Sequence, residues 1–270
     1  MSKKLTLPKI IQMKPQGKKI TMMTAYDYAT GMLCEKAGID TILVGDSLAM
    51  TVLGYESTVF ITMEEMLHHT RAVKRGAQNT FLIADMPFGS YNASAEQAIM
   101  NASRFVQEAG VEAVKLEGGT TAADTVTAVV KAGIPVLGHI GLTPQTVIQL
   151  GGYKVQGKTE EAADRLVEDA KALERAGAFG VVLECIPSEL AAAITAAVSI
   201  PTIGIGAGPQ CDGQVLVYND VVGLFDKFTP KFVKQYAKLD EIIVKGLEQY
   251  KLEVQQGVFP DEEHSFSIKQ

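Results

Sequence analysis

The sequence predicts a single α/β domain of the TIM, or (β/α)8, barrel class, and three observations predict it. Four times an Ala-Gly pair precedes a short apolar run, which is the order of a helix closed by a C′ glycine, a short loop and a buried strand. Eight such runs alternate with helical segments over roughly 250 residues, the usual size of this barrel. Residues 24–27, after the first run, have no glycine fingerprint of the kind that doubly wound sheets carry.

The eight predicted strands are mostly apolar on both faces, as in a parallel sheet that helices cover. They span residues 20–24, 41–44, 81–84, 113–116, 136–138, 181–183, 201–205 and 214–217. Because no linker divides them, we expect one domain over residues 1–270, with a short N-terminal extension and an irregular C-terminal tail.

Helical segments lie between these strands and carry recognisable start signals. They span residues 27–37, 63–76, 95–109, 121–131, 160–176 and 188–198. Thr62 with Glu65, and Ser94 with Gln97, have the spacing of a capping box. Thr229 and Pro230 predict the start of a last helix that runs to about residue 250, since proline is favoured in the first helical turn.

Two segments outside this pattern leave their role open. Residues 47–61 are long for a βα loop and predict either a lid or pocket wall, or a packed surface loop. The glycine turn at residues 204–208 predicts either a tight turn that leaves room for a ligand or a phosphate cradle, although no basic side chain accompanies it.

Composition and charge exclude several function classes. A net charge of -6 and a pI near 5.3 argue against nucleic acid as the main partner, because phosphate binding requires a basic face. Cys34, Cys185 and Cys211 have no CxxC or disulfide-ladder spacing and suit a reducing cytoplasm. The chain start lacks the apolar core of a signal peptide, and proline and glycine divide the longest uncharged runs, so we expect a cytoplasmic protein without membrane segments.

The fourth predicted strand carries a lysine and a glutamate two residues apart. Strand side chains alternate between faces, so Lys115 and Glu117 point the same way while Val114 and Leu116 point the other way. Burying each charge is unfavourable by several kcal/mol unless it is paired or bound to a metal. This strand alone leaves two interpretations open, a structural ion pair and a functional site.

The ends of the other strands favour the functional site, because chemistry in a TIM barrel lies at the carboxyl ends of the strands. These ends carry Asp46, Ser47, Asp85, Lys115, Glu117, His139 and Glu184. Four carboxylates at one mouth repel one another unless a cation lies between them. Oxygen ligands without cysteine suit a hard ion such as Mg²⁺, and Asp46, Asp85 and Glu117, on three consecutive strands, form the candidate ligand set.

The other polar residues of the mouth have candidate roles in a reaction. Glu184 ends an apolar run across the mouth from Asp46, and it is the candidate base because a carboxylate in apolar surroundings holds a proton more readily. Lys115 could hold a substrate carboxylate or stabilise an enolate oxygen. His139 could bind substrate or orient a neighbour, or it is a hydrogen-bonded core histidine.

Seven motifs lie at the ends of the predicted strands. They are Thr24-Ala-Tyr-Asp27, Val44-Gly-Asp-Ser47, Ala84-Asp-Met-Pro-Phe-Gly-Ser-Tyr91, Val114-Lys-Leu-Glu-Gly118, Gly138-His-Ile-Gly-Leu-Thr-Pro-Gln145, Gly151-Gly-Tyr-Lys154 and Gly204-Ile-Gly-Ala-Gly208. Together they resemble the ketopantoate hydroxymethyltransferase family, and the resemblance extends to about residue 260.

This resemblance implies a Mg²⁺-dependent TIM barrel of the phosphoenolpyruvate-binding type that assembles as a homodecamer. It implies transfer of a hydroxymethyl group from 5,10-methylenetetrahydrofolate to 3-methyl-2-oxobutanoate through a Mg-stabilised enolate, which gives 2-dehydropantoate for pantothenate and coenzyme A synthesis. By position, the family's metal ligands match Asp46, Asp85 and Glu117. Its substrate-binding residues match Asp46, Ser47, Asp85 and Lys115, and its catalytic proton acceptor matches Glu184.

Two other functions are consistent with the same strand ends. The first is a Mg²⁺-dependent carbon-carbon lyase or phosphonomutase that acts on a 2-oxo acid; the lyases would carry a cysteine in a Lys-Lys-Cys-Gly-His motif, which this sequence lacks. The second is a non-catalytic metabolite-binding barrel. That barrel would have lost the base or a metal ligand, whereas all four carboxylates are present here.

Overall fold

A computed structural model describes residues 4–224 and 229–268 and contains a closed barrel of eight parallel strands. The strands are β1 (Ile20–Thr24), β2 (Thr41–Val44), β3 (Phe81–Asp85), β4 (Ala113–Glu117), β5 (Val136–Gly141), β6 (Gly180–Glu184), β7 (Thr202–Ile205) and β8 (Gly213–Leu216). Each strand pairs with the next one, and β8 closes on β1 with Val215 opposite Met22. The predicted barrel class is confirmed, and each predicted strand is present with ends shifted by at most a few residues.

Helices follow most of the strands, and several of them begin where the sequence signals predict. They are α1 (Leu7–Met13), α2 (Tyr28–Lys36), α3 (Leu48–Thr51), α4 (Met63–Gly76), α5 (Ala95–Ala109), α6 (Ala123–Lys131), α7 (Glu160–Arg175), α8 (Ser188–Ala197), α9 (Tyr218–Val221) and α10 (Leu239–Gln256). Thr62 and Glu65 form the predicted capping box of α4, and Ser94 accepts from the Gln97 N–H at the start of α5. Within the two described ranges, no helix is both long and apolar enough to cross a bilayer.

The predicted start of the last helix is wrong, because α10 begins at Leu239 and not at Thr229 and Pro230. The Tyr236 N–H donates to the Val221 carbonyl at 2.8 Å, and the Leu239 N–H donates to the Val222 carbonyl at 2.9 Å. These long-range hydrogen bonds use N–H groups that a helix over the same residues would need, so the proline signal is overridden.

One further feature departs from the sequence-based expectation. The N-terminal extension contains α1, which was not predicted. Ile10 of α1 is 2% exposed and belongs to the apolar cluster at the base of the barrel. Helix α1 therefore contributes to the closure of this end of the barrel.

The barrel interior divides into an apolar base and a polar mouth. Inward-facing residues near the amino ends of the strands, among them Ile20, Phe81 and Leu137, form one apolar cluster. Near the carboxyl ends of β3, β4, β5 and β6 the inward positions are polar, and they hold Asp85, Lys115, Glu117, His139 and Glu184. The fold thus brings the charged strand ends together at one end of a packed core.

The chain forms two compact units with a boundary between Tyr218 and Asn219. The first unit contains the eight strands, and the second contains α10. No residue of α10 is buried. Its exposed large apolar side chains, each 46–63% exposed, are Ile242, Ile243, Val244, Leu247, Tyr250, Leu252 and Val254. The single domain expected over residues 1–270 stays a prediction.

Candidate active site

Lys115 and Glu117 lie at the centre of the polar mouth. As predicted, their side chains share the inward face of β4, and the two residues are only 3% and 6% exposed. Lys115 Nζ lies 2.9 Å from Asp85 Oδ1 and 3.8 Å from Glu117 Oε1. Burial alone would lower the pKa of Lys115, but the carboxylates of Asp85 and Glu117 outweigh burial and raise that pKa. Lys115 is therefore a charged ammonium in contact with acidic partners.

Asp46 and Asp85 are adjacent buried carboxyl groups. The Asp46 backbone N–H donates to Asp85 Oδ2 at 3.2 Å, which fixes the end of β2 against the end of β3. Burial raises the pKa of Asp46, and the negative charges of Asp85 and Glu117 raise it further. Burial also raises the pKa of Asp85, although the ammonium of Lys115 opposes that shift. Additional positive charge nearby would stabilise the ionised forms of both groups.

His139 connects two of the predicted carboxylates. Its Nδ1 atom lies 3.3 Å from Glu117 Oε1, and its Nε2 atom lies 3.1 Å from Glu184 Oε2. Burial and Lys115, whose Nζ is 3.2 Å from Nδ1, disfavour the charged ring, but Glu117 and Glu184 outweigh them and raise the pKa of His139 to about 9. These contacts fit the orienting role among those considered for His139, because the ring lies against the Glu184 carboxylate, although Nε2 has no hydrogen bond of normal geometry.

Gln145 and Tyr91 hold the carboxylates in place, and the sequence reasoning missed both. The Gln145 side-chain NH₂ donates to Asp46 Oδ2 and to the Met86 carbonyl, each at 2.9 Å, and its backbone N–H donates to Glu117 Oε2 at 3.0 Å. The Tyr91 hydroxyl donates to Gln145 Oε1 at 2.6 Å. Both residues end strand-end motifs given above, and their polar side chains in those motifs were the available signal.

Ser47 lies beside a line of hydroxyl groups. The Tyr26 hydroxyl is 2.9 Å from Ser47 Oγ, and Thr24 Oγ1 donates to the Tyr26 hydroxyl at 2.8 Å. The Tyr218 backbone N–H in turn donates to Thr24 Oγ1 at 2.8 Å. These hydrogen bonds tie the serine that follows Asp46 to the end of β1, at the same mouth as the charged residues.

The mouth is acidic enough to suit a divalent cation. With Lys115 and His139 protonated, four ionised carboxylates leave two negative charges, which one divalent cation would balance. Glu117 Oε1 and Asp85 Oδ1 are buried oxygens without a hydrogen bond of normal geometry, although Lys115 is close to both. Over residues 4–224 and 229–268, however, no three His, Cys, Asp or Glu side chains converge closely enough to hold a metal ion by themselves. A cation would need water or substrate as further ligands.

The two segments whose role the sequence leaves open are both partly packed. Residues 47–61 contain α3 and a 3-10 turn, with Leu48 and Ala49 buried while Phe60 is 60% exposed. In the glycine turn, Gly208 has a φ of +80°, and a Cβ atom there would lie 2.5 Å from Ser188 Cβ. The turn is therefore tight and in close contact with the start of α8.

Comparison with known proteins identifies a family to which this chain is similar. Residues 4–262 match the family described as ketopantoate hydroxymethyltransferase. The 3-methyl-2-oxobutanoate hydroxymethyltransferase of Heliobacterium modesticaldum is 62% identical over 99% of this chain and 97% of its own length. The protein of the same name from Moorella thermoacetica is 58% identical over 97% of this chain and 98% of its own length.

Solved structures with low sequence identity share the fold. Phosphonopyruvate hydrolase superposes with a TM-score of 0.63 at 16% identity and covers 100% of this chain and 93% of its own. A 2,3-dimethylmalate lyase of the PEP mutase/isocitrate lyase superfamily gives a TM-score of 0.59 at 15% identity and covers 96% of this chain and 91% of its own. These similarities support the (β/α)8 barrel fold.

Proposed function

The chain belongs to the ketopantoate hydroxymethyltransferase family, and on this basis we propose that it transfers a hydroxymethyl group to 3-methyl-2-oxobutanoate to give 2-dehydropantoate, in pantothenate and coenzyme A synthesis. The one-carbon donor in this proposal is 5,10-methylenetetrahydrofolate. The observation that carries the proposal is the contact of Glu184 with His139 at a mouth that also holds Lys115 and two aspartates. A base and a fixed cation beside one another suit proton removal next to a carbonyl group.

The proposed reaction assigns a step to each side chain of the mouth. Glu184 takes the proton from C3 of the oxo acid, and His139 keeps its carboxylate oriented during the transfer. Lys115 and the Ser47 hydroxyl bind oxygen atoms of the substrate, and Lys115 stabilises the negative charge that develops when the C3 proton leaves. The nucleophilic carbon then forms a bond to the methylene carbon of the folate. Over the whole reaction both C–N bonds of that carbon break, one water molecule supplies the oxygen of the new hydroxymethyl group, and tetrahydrofolate leaves with both nitrogens protonated.

Asp46, Asp85 and Glu117 fit Mg²⁺, and we propose that they hold it. Mg²⁺ usually takes one or two protein carboxylates and completes its octahedral shell with water and substrate oxygens, so a cluster of three converging side chains is not required. The buried oxygens Asp85 Oδ1 and Glu117 Oε1 and the raised pKa of Asp46 support this assignment. When bound, the ion would supply Lewis acidity that makes the C3 proton of a 2-oxo acid easier to remove.

The rival functions have less support. The structures named a 2,3-dimethylmalate lyase and a phosphoenolpyruvate phosphomutase are 15% and 14% identical to this chain, which shows a shared fold alone. A non-catalytic barrel would not need a base oriented by a buried histidine. We also propose a cytoplasmic location, which the three free cysteines Cys34, Cys185 and Cys211 support.

Deuterium exchange at C3 of 3-methyl-2-oxobutanoate tests the proposed function without the folate. Proton NMR in D₂O is expected to show loss of the C3 signal when protein and Mg²⁺ are both present, and little loss after EDTA treatment. Exchange that proceeds equally well in EDTA would contradict the metal assignment. Absence of exchange with and without tetrahydrofolate would contradict the proposed substrate.

We further propose that copies of this chain assemble into a homodecamer, as the family resemblance implies. The exposed apolar side chains of α10 support a contact between copies, because contiguous exposed apolar surface commonly marks an interaction site. Sedimentation velocity is expected to give a mass of about ten chains for the wild type and a smaller species for Leu247→Glu, with Glu248→Gln on the same helix as the control. A monomeric wild type would contradict the proposal.

A further inference from the structure

Gln145 connects two candidate metal ligands that come from different strands. Its side-chain amide donates to Asp46 Oδ2 at 2.9 Å, and its backbone N–H donates to Glu117 Oε2 at 3.0 Å. Asp46 follows β2 and Glu117 ends β4, whereas Gln145 lies in a 3-10 turn after β5. Asp46, Glu117 and Gln145 are 5%, 6% and 4% exposed. One buried residue therefore holds two carboxylates in fixed positions relative to each other.

The orientation of the Gln145 amide is fixed by its partners. Its NH₂ group also donates to the Met86 carbonyl at 2.9 Å, while its Oε1 atom accepts from the Tyr91 hydroxyl at 2.6 Å. A flipped amide would place Oε1 against the Met86 carbonyl, which can only accept. The Met86 N–H donates to the Lys115 carbonyl at 2.9 Å, so Met86 is itself held against β4. The donor side of the amide is therefore directed at Asp46.

The Tyr91 hydroxyl closes a ring of hydrogen bonds. It accepts from the Glu117 backbone N–H at 3.2 Å, and a backbone N–H can only donate. The hydrogen of the hydroxyl then goes to Gln145 Oε1, and the Gln145 N–H returns to the Glu117 carboxylate. Tyr91 is 4% exposed, so water does not compete for these bonds. The positions of Glu117 and Gln145 are therefore coupled through Tyr91.

These hydrogen bonds occupy one oxygen of a carboxylate and leave the other. Glu117 Oε2 accepts from the Gln145 N–H, whereas Glu117 Oε1 has no hydrogen bond of normal geometry within the described part of the chain. Asp85 shows the same division, because its Oδ2 atom accepts from the Asp46 N–H while its Oδ1 atom has no such bond there. Lys115 Nζ lies near both remaining oxygens. These oxygens are the candidate donor atoms for a cation.

The neutral charge of Gln145 suits a cation site. An amide N–H group holds a carboxylate oxygen but leaves the negative charge of the carboxylate in place. A lysine or arginine at this position would cancel that charge and repel a divalent ion. Hydrogen-bond partners of metal ligands commonly change metal affinity by about 10- to 100-fold. The chemistry of Gln145 therefore fits a residue that supports metal binding.

We infer that Gln145 and Tyr91 are positioning residues that set the affinity of the mouth for Mg²⁺, an inference that rests on the proposed metal site. They hold the carboxylates of Asp46 and Glu117 in place before the ion binds, so that binding does not have to order these side chains. Both residues act through the carboxylates and not on the oxo acid.

Gln145→Met tests the inference because it keeps the length of the side chain and removes the amide. Isothermal titration of metal-free protein with Mg²⁺ alone is expected to give a dissociation constant about 10-fold or more above the wild-type value. Tyr91→Phe removes a single hydroxyl group and is the second variant should Gln145→Met fail to fold. It is expected to raise the same constant, because it frees the Gln145 amide and leaves the Glu117 N–H without its acceptor.

Gln97→Met is the matched control. The Gln97 side chain donates to the Gly89 carbonyl at 3.0 Å and accepts from the Ala93 N–H at 3.2 Å. It thus holds the loop that carries Tyr91, but its partners are backbone groups and not the carboxylates of the mouth. The Mg²⁺ dissociation constant of this control should equal that of the wild type.

The Mg²⁺ dependence of C3 exchange distinguishes a positioning role from a purely structural one. In the folded variants, the Mg²⁺ concentration for half-maximal exchange should rise by the same factor as the dissociation constant, while the rate at saturating Mg²⁺ stays within about 2-fold of the wild-type rate. An unchanged Mg²⁺ dissociation constant in the folded variants would overturn the inference and leave the proposed function intact. A wild type that exchanges C3 equally well without Mg²⁺ would overturn the metal assignment, and the inference with it.

Discussion

Replacing Glu184 by Gln is expected to lower the rate of C3 proton exchange by about 100-fold or more, with nearly normal binding of 3-methyl-2-oxobutanoate. The amide has the shape of the carboxylate and can keep its contact with His139 Nε2, which lies 3.1 Å from Glu184 Oε2. It cannot take a proton from carbon, however. The change therefore removes the base and leaves the contacts of the mouth in place.

The measurement combines proton NMR of exchange in D₂O with isothermal titration of the oxo acid in the presence of Mg²⁺. Glu168→Gln on α7 is the control, because its carboxylate lies in an exposed pair with Lys171 at 3.0 Å and should not affect exchange. If Glu184→Gln loses substrate binding along with exchange, the carboxylate binds substrate and is not the base. Wild-type exchange in the variant would show that another group removes the proton.

Much of the site could be predicted from the sequence because the carboxyl ends of all the strands of a TIM barrel lie at the same end of the barrel, where the active site is found. Side chains alternate between the two faces of a strand, and in β4 this alternation was sufficient to place Lys115 and Glu117 on the same inward face. The same argument brought Asp85, His139 and Glu184 to the same mouth, since parallel strands end at the same edge. The positions of these side chains are determined by local strand geometry and by the order of the strands.

The positioning residues could not be predicted in the same way. Gln145 and Tyr91 lie in loops after β5 and β3, and loop side chains have no period that fixes their direction. Gln145 reaches Asp46 across 99 positions of sequence, a contact that depends on the closed barrel. For a similar reason the start of α10 was missed, because hydrogen bonds of Tyr236 and Leu239 to α9 and the residue after it override the local proline signal.

Replacing Lys115 by Met is expected to lower the free energy of unfolding by about 3–5 kcal/mol in the absence of divalent cations. The variant keeps the volume of the side chain but removes the ammonium that lies 2.9 Å from Asp85 Oδ1 and 3.8 Å from Glu117 Oε1. It leaves buried carboxylates without a compensating charge. Lys171→Met, at a side chain that is 38% exposed, is the control and should change stability by less than about 0.5 kcal/mol.

The dependence of this loss of stability on pH and on metal distinguishes an effect of the missing charge from an effect of altered packing. Without Lys115, the folded-state pKa values of Asp85 and Asp46 should rise further above their unfolded values, so the ionised forms are penalised at neutral pH. Lowering the pH protonates these groups in the folded state. The difference in unfolding free energy between the wild type and Lys115→Met should therefore shrink as the pH falls. Urea unfolding in EDTA at two pH values measures this change.

Added Mg²⁺ should stabilise Lys115→Met more than the wild type, because the ion replaces positive charge among the same carboxylates. Urea midpoints with and without Mg²⁺ give the comparison, and Lys171→Met should respond as the wild type does. An equal response of wild type and Lys115→Met would mean that the ion binds away from Asp85 and Glu117. A deficit that neither pH nor Mg²⁺ reduces would show that Lys115 acts mainly through packing, and that the charges of the mouth are balanced without it.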